Sequence, residues 1–277
     1  MKKHLITIIL FLVLLAGLSL VLYPSFSNWW NSMHMSRVIT DYVNLIDDLD
    51  EDEYAEILEA AHVYNRSLAE RENGYLLSDE QKSKYNDLLN VAGNGVMGYV
   101  EIPTIGVNLP IYHGTGEDVL QVAVGHLDWS SLPVGGESTH SVISGHRGLP
   151  SAQLFTHLDK VREGDIFVIR VLNETLTYEV DQILIVEPRQ VESLLISQGE
   201  DQCTMFTCTP YGINTHRLLV RGHRVANEEE AEVRHVISEA ILIEPAVVAP
   251  IVALPMLFVL FIYLMIPKKK RKWRDEW

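Results

Sequence analysis

Two cysteines in 277 residues are too few for a disulfide-dense secreted scaffold and too few for a four-cysteine zinc site. Basic residues are scarce as well: 22 Lys+Arg stand against 37 Asp+Glu, a net charge of −15. With so little positive charge to neutralise phosphates, the composition excludes an ordinary nucleic-acid binder. Internal repeats and low-complexity tracts are absent, so a solenoid or array is excluded too. What remains is ordinary for a folded chain, with 47% hydrophobic and 21% charged residues and length enough for one or two domains with a full core. The mean hydropathy of +0.08 is nevertheless high for so acidic a sequence. The apolar residues must be unevenly spread.

The two ends account for this. Residues 5–22 form an 18-residue run without charge, preceded by Lys2 and Lys3. Residues 246–266 form a second run of 21, followed by Lys268, Lys269, Lys270, Arg271, Lys272 and Arg274. Each is long enough to cross a hydrocarbon layer of ~30 Å at ~1.5 Å per residue. The first run has two readings, a cleaved signal peptide or a retained anchor. Its length, the lack of an A-x-A cleavage site and the aromatic residues Tyr23, Trp29 and Trp30 favour the anchor. The basic tail after the second run reads as a stop-transfer signal, and membrane helices tolerate its Pro250 and Pro255. Positive charge outside both spans predicts two membrane passes with both termini cytoplasmic. Setting aside Lys2, Lys3 and the six basic tail residues leaves 14 basic residues, and setting aside Asp275 and Glu276 leaves 35 acidic ones. The segment between the spans therefore carries about −21.

Six segments follow from this: 1–22 as signal-anchor, 23–93 as a helical extension, 94–226 as a catalytic β-domain, 227–245 as linker, 246–266 as second span and 267–277 as cytoplasmic tail. In the extension, Val38, Tyr42, Leu45 and Leu49, then Tyr54, Ile57, Leu58, Ala61, Tyr64 and Leu68, recur at helical spacing. The acidic run between them reads as a solvated helix face or turn, since it lacks the spacing and glycine of a calcium loop. Asn73-Gly74 ends that helix, and Ser78-Asp79-Glu80-Gln81 caps another short one. From Gly93-Asn94-Gly95 onward the pattern changes. Runs at 96–103, 107–112, 141–144, 166–172, 176–186, 203–208 and 217–224 read as short strands separated by Gly, Pro, Asn and Asp clusters. Seven or eight strands with few long helices predict a closed barrel or a sandwich.

Chemistry concentrates at one of these strand ends. Cys208 closes an apolar strand, Pro210, Gly212 and Asn214 supply turn formers, and Arg217 opens the next strand. Antiparallel pairing of the two strands brings Arg217 back beside Cys208, where a guanidinium steadies a developing oxyanion. Cys203 and Cys208, five apart, point to opposite faces of one strand, which disfavours a disulfide between them. A lone cysteine is more often a small buried hydrophobe than a nucleophile. His146, set between Gly145 and the Arg147-Gly148 pair after another strand, is the histidine best placed to join it. His126, His140, His216 and His223 read as incidental. Cysteine, histidine and a positioned cation make up the logic of thiol acyl transfer.

Those residues carry a family resemblance. Thr204-Met205-Phe206-Thr207-Cys208 resembles the TLxTC signature of sortases, with a volume-conserving Met in place of Leu. Ser144-Gly145-His146-Arg147 and Asn214-Thr215-His216-Arg217-Leu218-Leu219-Val220-Arg221-Gly222 are similar to companion motifs of that family, as are Gly98-Tyr99-Val100-Glu101-Ile102-Pro103 and Leu132-Pro133-Val134-Gly135-Gly136. The similarity runs over residues 94–225. The helical extension, the Thr209-Pro210-Tyr211-Gly212 run and the C-terminal span resemble class C, the pilin-polymerising sortases.

The resemblance implies a mainly β fold: an eight-stranded sortase barrel on a Gram-positive cell surface, with an N-terminal helical extension and two flanking transmembrane helices. It implies that Cys208 attacks the Thr–Gly bond of an LPxTG-like sorting signal. His146 is then the acid/base, as imidazolium beside the leaving amine, and Arg217 holds substrate and stabilises the oxyanion. The thioester passes to a lysine of another pilin subunit. Neither metal nor organic cofactor is implied. Class C members often carry an Asp-Pro-aromatic lid motif before the barrel, but residues 33–94 hold no such tripeptide, and Asp79 lacks both the Pro and the aromatic. Two other readings compete: a sortase that attaches single proteins to cell-wall precursor, and a membrane-anchored scaffold with a non-catalytic barrel.

Overall fold

A computed structural model describes residues 2–69, 77–227 and 262. Its described part separates into two compact units at Ser27/Asn28. Helix α1 (Lys2–Asp47) takes in both the apolar N-terminal stretch and the start of the predicted helical extension. In the first unit, Leu5, Ile6, Leu10, Leu12, Val13, Leu20 and Val21 are all more than half exposed. From Ile8 the helix is long and apolar enough to cross a membrane, an 18-residue window of it having a mean hydropathy of 2.4. The expected second span, 246–266, falls outside the described residues except for Ile262, as does the Asn73-Gly74 helix end.

The second unit begins within α1, where Met35, Ile39, Tyr42 and Ile46 recur at four, three and four and are buried. Tyr42 ties this helix to the sheet twice: its hydroxyl donates to the Met97 carbonyl at 3.1 Å and accepts from the Leu172 N–H at 2.8 Å. Helix α2 (Glu51–Ala69) follows. The acidic run between the two helices proves to be its N-cap: the Asp50 carboxylate accepts from the Glu53 N–H at 2.8 Å, and the Asp50 N–H points back at Glu53 Oε2 at 3.4 Å. Glu51, Asp52 and Glu53 complement the helix dipole there. Buried Asn65 clamps Leu132 with both halves of its amide, at 2.9 and 2.8 Å. Helix α3 (Asp79–Asp87) carries the expected Ser78/Gln81 capping box, with Asp79 as its exposed first residue.

The remaining elements close into one barrel of order β1-β2-β3-β4-β7-β8-β6-β5. The strands are β1 (Val96–Ile102), β2 (Val107–His113), β3 (Val124–His126), β4 (Thr139–Ser144), β5 (Ile166–Val171), β6 (Glu174–Val186), β7 (Asp201–Thr209) and β8 (His216–Arg224). Seven of them match the runs that read as strands in the sequence. The eighth, β3, is three residues long with a central glycine, too short to show a period of two. A one-turn helix, α4 (Glu117–Leu120), precedes it. The pairs β2–β3 and β4–β7 are parallel, and all the other pairings are antiparallel. Inside the barrel lie Met97, Ile102, Ile111, Ile143, Phe167, Tyr178, Cys203, Met205 and Val220, each almost fully buried.

Helix α3 docks on the barrel through a buried polar cluster. The Tyr85 hydroxyl sits 3.0 Å from His126 Nδ1 and accepts from the Gly114 N–H at 3.0 Å, while His126 Nε2 lies 2.7 Å from the Ser131 carbonyl. A neutral His126 with its proton on Nε2 satisfies this arrangement. Burial holds the ring neutral, lowering its pKa from 6.5 to about 3, and burial lowers that of His140 as well. In the unfolded chain both rings protonate near pH 6.5, so acid favours the unfolded state. Stability is full above that pH and falls as pH drops toward the folded-state value. Urea midpoints are expected to decline steadily from pH 7 to 5, and the decline to flatten in His126→Gln.

Candidate active site

Two strand registers build the site. In the β7–β8 ladder, Cys208 lies directly opposite Arg217, as the antiparallel reading of the sequence required. The intervening turn is closed by the Ile213 and Asn214 N–H groups, which donate to the Pro210 carbonyl at 3.1 and 3.0 Å. Gly212 and Asn214 take the positive φ this turn needs, +75° and +61°. On the other side, β4 runs parallel to β7 with Ser144 opposite Phe206. The match continues one step further: the Gly145 N–H donates to the Phe206 carbonyl at 3.2 Å, and Thr207 Oγ1 donates to the Gly145 carbonyl at 2.7 Å. His146 is therefore delivered to the level of Cys208. Gly145 must be glycine here, since a Cβ would stand 2.6 Å from the Phe155 ring.

Strand alternation assigns the faces. Cys203, Met205 and Thr207 point into the barrel, and Thr204, Phe206 and Cys208 point out of it. Arg217 and Leu219 on β8, with Val142 and Ser144 on β4, share that outer face through their register partners. Beside Cys208 this face is an apolar floor. Val142, Leu194 and Leu219 are buried there, and Leu127, Trp129, Leu184, Val186 and Phe206 pack against them. Leu194 comes from a short turn, Glu192–Leu194, in the β6–β7 connection.

The two cysteines are free and differ in kind. Cys203 is fully buried, and burial pushes its thiol pKa well above the ordinary value. Cys208 is half-buried and opens on the outer face. The Arg217 guanidinium donates to the Asn214 and His216 carbonyls at 3.3 and 3.1 Å through Nη1. Among the described residues no carboxylate pairs with it, which leaves Nε and Nη2 for a ligand. The His146 ring is partly exposed, with Nε2 3.9 Å from the Glu117 carboxylate on α4. Of the histidines set aside in the sequence, His126 and His140 are buried structural groups, and His223 lies 3.9 Å from Asp181. His216 opens β8 on the face opposite Arg217.

Sequence reasoning missed three features: the apolar floor, Glu117, and the pairing of Arg147 with Asp159 at 2.6 Å. The first two have no local signal, because their parts come from separate strands and a one-turn helix. Arg147 was in view only as part of a motif.

A closed eight-stranded barrel with a half-buried cysteine and a histidine at adjacent strand ends, and an arginine opposite the cysteine, defines a class of thiol-bearing β-barrel. Its sequence and structure relatives narrow that class. The sortase domain family model matches residues 100–225. Sortase A of Streptococcus agalactiae serotype III (strain NEM316) is 31% identical over 117 residues, 41% of this chain and 47% of that protein. Sortase D of Bacillus subtilis (strain 168) is 30% identical over 131 residues, 46% of this chain and 63% of that protein. The matches thus span roughly half to two-thirds of these curated relatives. Solved structures extend the likeness. Sortase C1 from Streptococcus agalactiae has 49% identity and a TM-score of 0.68, covering 69% of this chain and 100% of that one. Sortase C of Streptococcus pneumoniae has 46% identity and a TM-score of 0.64, covering 70% and 99%. This chain belongs to the sortase family, within its class C branch.

Thiol accessibility separates the two cysteines. Iodoacetamide treatment of the folded protein is expected to add one label, at Cys208, with Cys203 reacting only after unfolding; peptide mass spectrometry reads out both positions.

Proposed function

We propose that the chain is a cysteine transpeptidase that polymerises pilin subunits, and the observation that carries this reading is the convergence of Cys208, His146 and Arg217 at one rim of a class C sortase barrel. The apolar floor supports it, since a sorting signal with Leu and Pro needs an apolar surface leading to the thiol. The solved Streptococcus pneumoniae sortase C is described in terms of pilin substrate specificity, which supports pilin as the substrate class here.

In this mechanism the Cys208 sulfur attacks the threonine carbonyl carbon of an LPxTG-like signal. Arg217, whose Nε and Nη2 carry no hydrogen bond among the described residues, stabilises the oxyanion that forms. His146, as imidazolium, gives its proton to the glycine nitrogen as the C–N bond breaks, and the C-terminal fragment departs. A thioester remains on Cys208. The ε-amine of an acceptor lysine, entering deprotonated, attacks that thioester carbonyl. His146 takes a proton from the attacking nitrogen, the C–S bond breaks, and an isopeptide bond joins two subunits. The cycle returns the thiolate and the imidazolium.

The anchoring we propose is a membrane pass through the N-terminal part of α1 and a second at residues 246–266, both termini cytoplasmic and the barrel outside. The exposed apolar stretch of α1 and the placement of the basic residues support it. A barrel-bearing segment near −21 is held off an anionic membrane except through these anchors.

Full-length protein in detergent micelles, incubated with pilin subunits, is expected to yield a covalent ladder on denaturing gels. Cys208→Ala should abolish the ladder. Arg217→Lys should slow it on the order of 100-fold, since an ammonium cannot reproduce the planar fork. Transfer to cell-wall precursor with no ladder would instead favour attachment of single proteins.

A further inference from the structure

The residues that follow His146 and Cys208 in the chain meet behind them. Cys208 points out of the barrel, so by alternation Thr209 points inward, and it is only 8% exposed. Arg147, next after His146, keeps its side chain 10% exposed. Its Nη1 donates to Thr209 Oγ1 at 3.3 Å, and its Nη2 meets the Asp159 carboxylate at 2.6 Å. The guanidinium also lies over the Tyr211 ring, 5.9 Å from its centre. Nε is buried and has no partner, so two nitrogens fix the side chain. Gly148 then packs so closely on Tyr211 that a Cβ would stand 2.8 Å from the ring. A groove of about 470 Å³ runs along this inner side, walled by Ile183, Ile185 and Leu218.

We propose that Arg147 and Thr209 are a positioning pair for the reaction: their hydrogen bond, anchored by Asp159, sets the separation of the His146 and Cys208 side chains on the opposite face. The inference rests on the assignment of Cys208 and His146 as the reacting groups. The parallel β4–β7 ladder ends at Ser144 and Phe206, and the last main-chain tie beyond it is the Gly145 N–H to the Phe206 carbonyl. Past that point, among the described residues, the ties between the two strand ends are made by side chains. Thr207 binds the Gly145 carbonyl at 2.7 Å, and Arg147 binds Thr209. The first tie lies one residue before the reacting groups and the second one residue after, so the pair brackets them. A displacement of about 1 Å between reacting groups costs on the order of 100-fold in rate.

The test measures thioester formation from a fluorogenic LPxTG-type peptide, using full-length protein in micelles. Thr209→Val keeps the shape and removes the hydroxyl, while Thr209→Ser does the reverse. A positioning role predicts that Thr209→Val and Arg147→Met each lower kcat about tenfold, with KM within about twofold of wild type. Thr209→Ser should stay near wild type. The double variant Arg147→Met/Thr209→Val should be no slower than either single one, because both remove the same bond. Normal kcat in Thr209→Val, with Thr209→Ser impaired, would show that only packing matters and would overturn the proposal. Cys208→Ala and His146→Ala run alongside. Full turnover in either would overturn the catalytic assignment, and the positioning role with it. If both are inactive while Thr209→Val is normal, the positioning role alone fails.

Discussion

The register of β7 is the constraint on which the rest of the site depends. Paired in parallel with β4 on one side and antiparallel with β8 on the other, this strand brings a histidine-bearing loop and an arginine to the two flanks of Cys208. A slip by one residue in either ladder would turn a key side chain to the wrong face. Several features hold the register. Met205 and Val220, opposite each other, are both fully buried in the barrel, and a slip would place their polar neighbours in that core. Leu219, on the outer face, is locked into the apolar floor with Val142 and Leu194. The hydrophobic effect thus fixes the chemistry indirectly, by making only one pairing of the strands low in free energy.

The N-terminal helices serve the same barrel. Tyr42 of α1 bonds the backbone of β1 and the residue just after β5, Asn65 of α2 clamps the loop before β4, and Tyr85 of α3 reaches the buried histidine of β3. Each helix contributes one polar side chain at a place where the barrel has backbone groups to satisfy. Unpaired, those groups would each cost about 1–3 kcal/mol. The helices are therefore covering elements with specific polar contacts.

Much of this was legible in the sequence because local physics and global structure agree. Seven strands showed as short apolar runs between turn formers, the α3 capping box as Ser78 with Gln81, and the Cys208–Arg217 pairing as a turn-rich loop between two apolar strands. The parts that escaped share a different property. Strand β3 is too short for periodicity, and its pairing with β2 and β4 is decided by long-range contacts. The apolar floor gathers residues from 127 to 219, so no window of sequence contains it. The acidic run at 47–53 looked like solvated surface and is also a helix start, a distinction that rests on the Asp50–Glu53 bonds. Arg147 lay within a recognisable motif, but its inward orientation and its partners Thr209 and Asp159 emerge only when β4 and β7 are side by side.

The central claim is that Cys208 forms a covalent acyl-enzyme. Intact-protein mass spectrometry after brief incubation with an LPxTG-type peptide tests it most directly. The account predicts a mass increase equal to the N-terminal peptide fragment, mapped to Cys208, labile to hydroxylamine and absent from Cys208→Ala. Product formation without any adduct on Cys208, or an adduct that persists in the alanine variant, would contradict it.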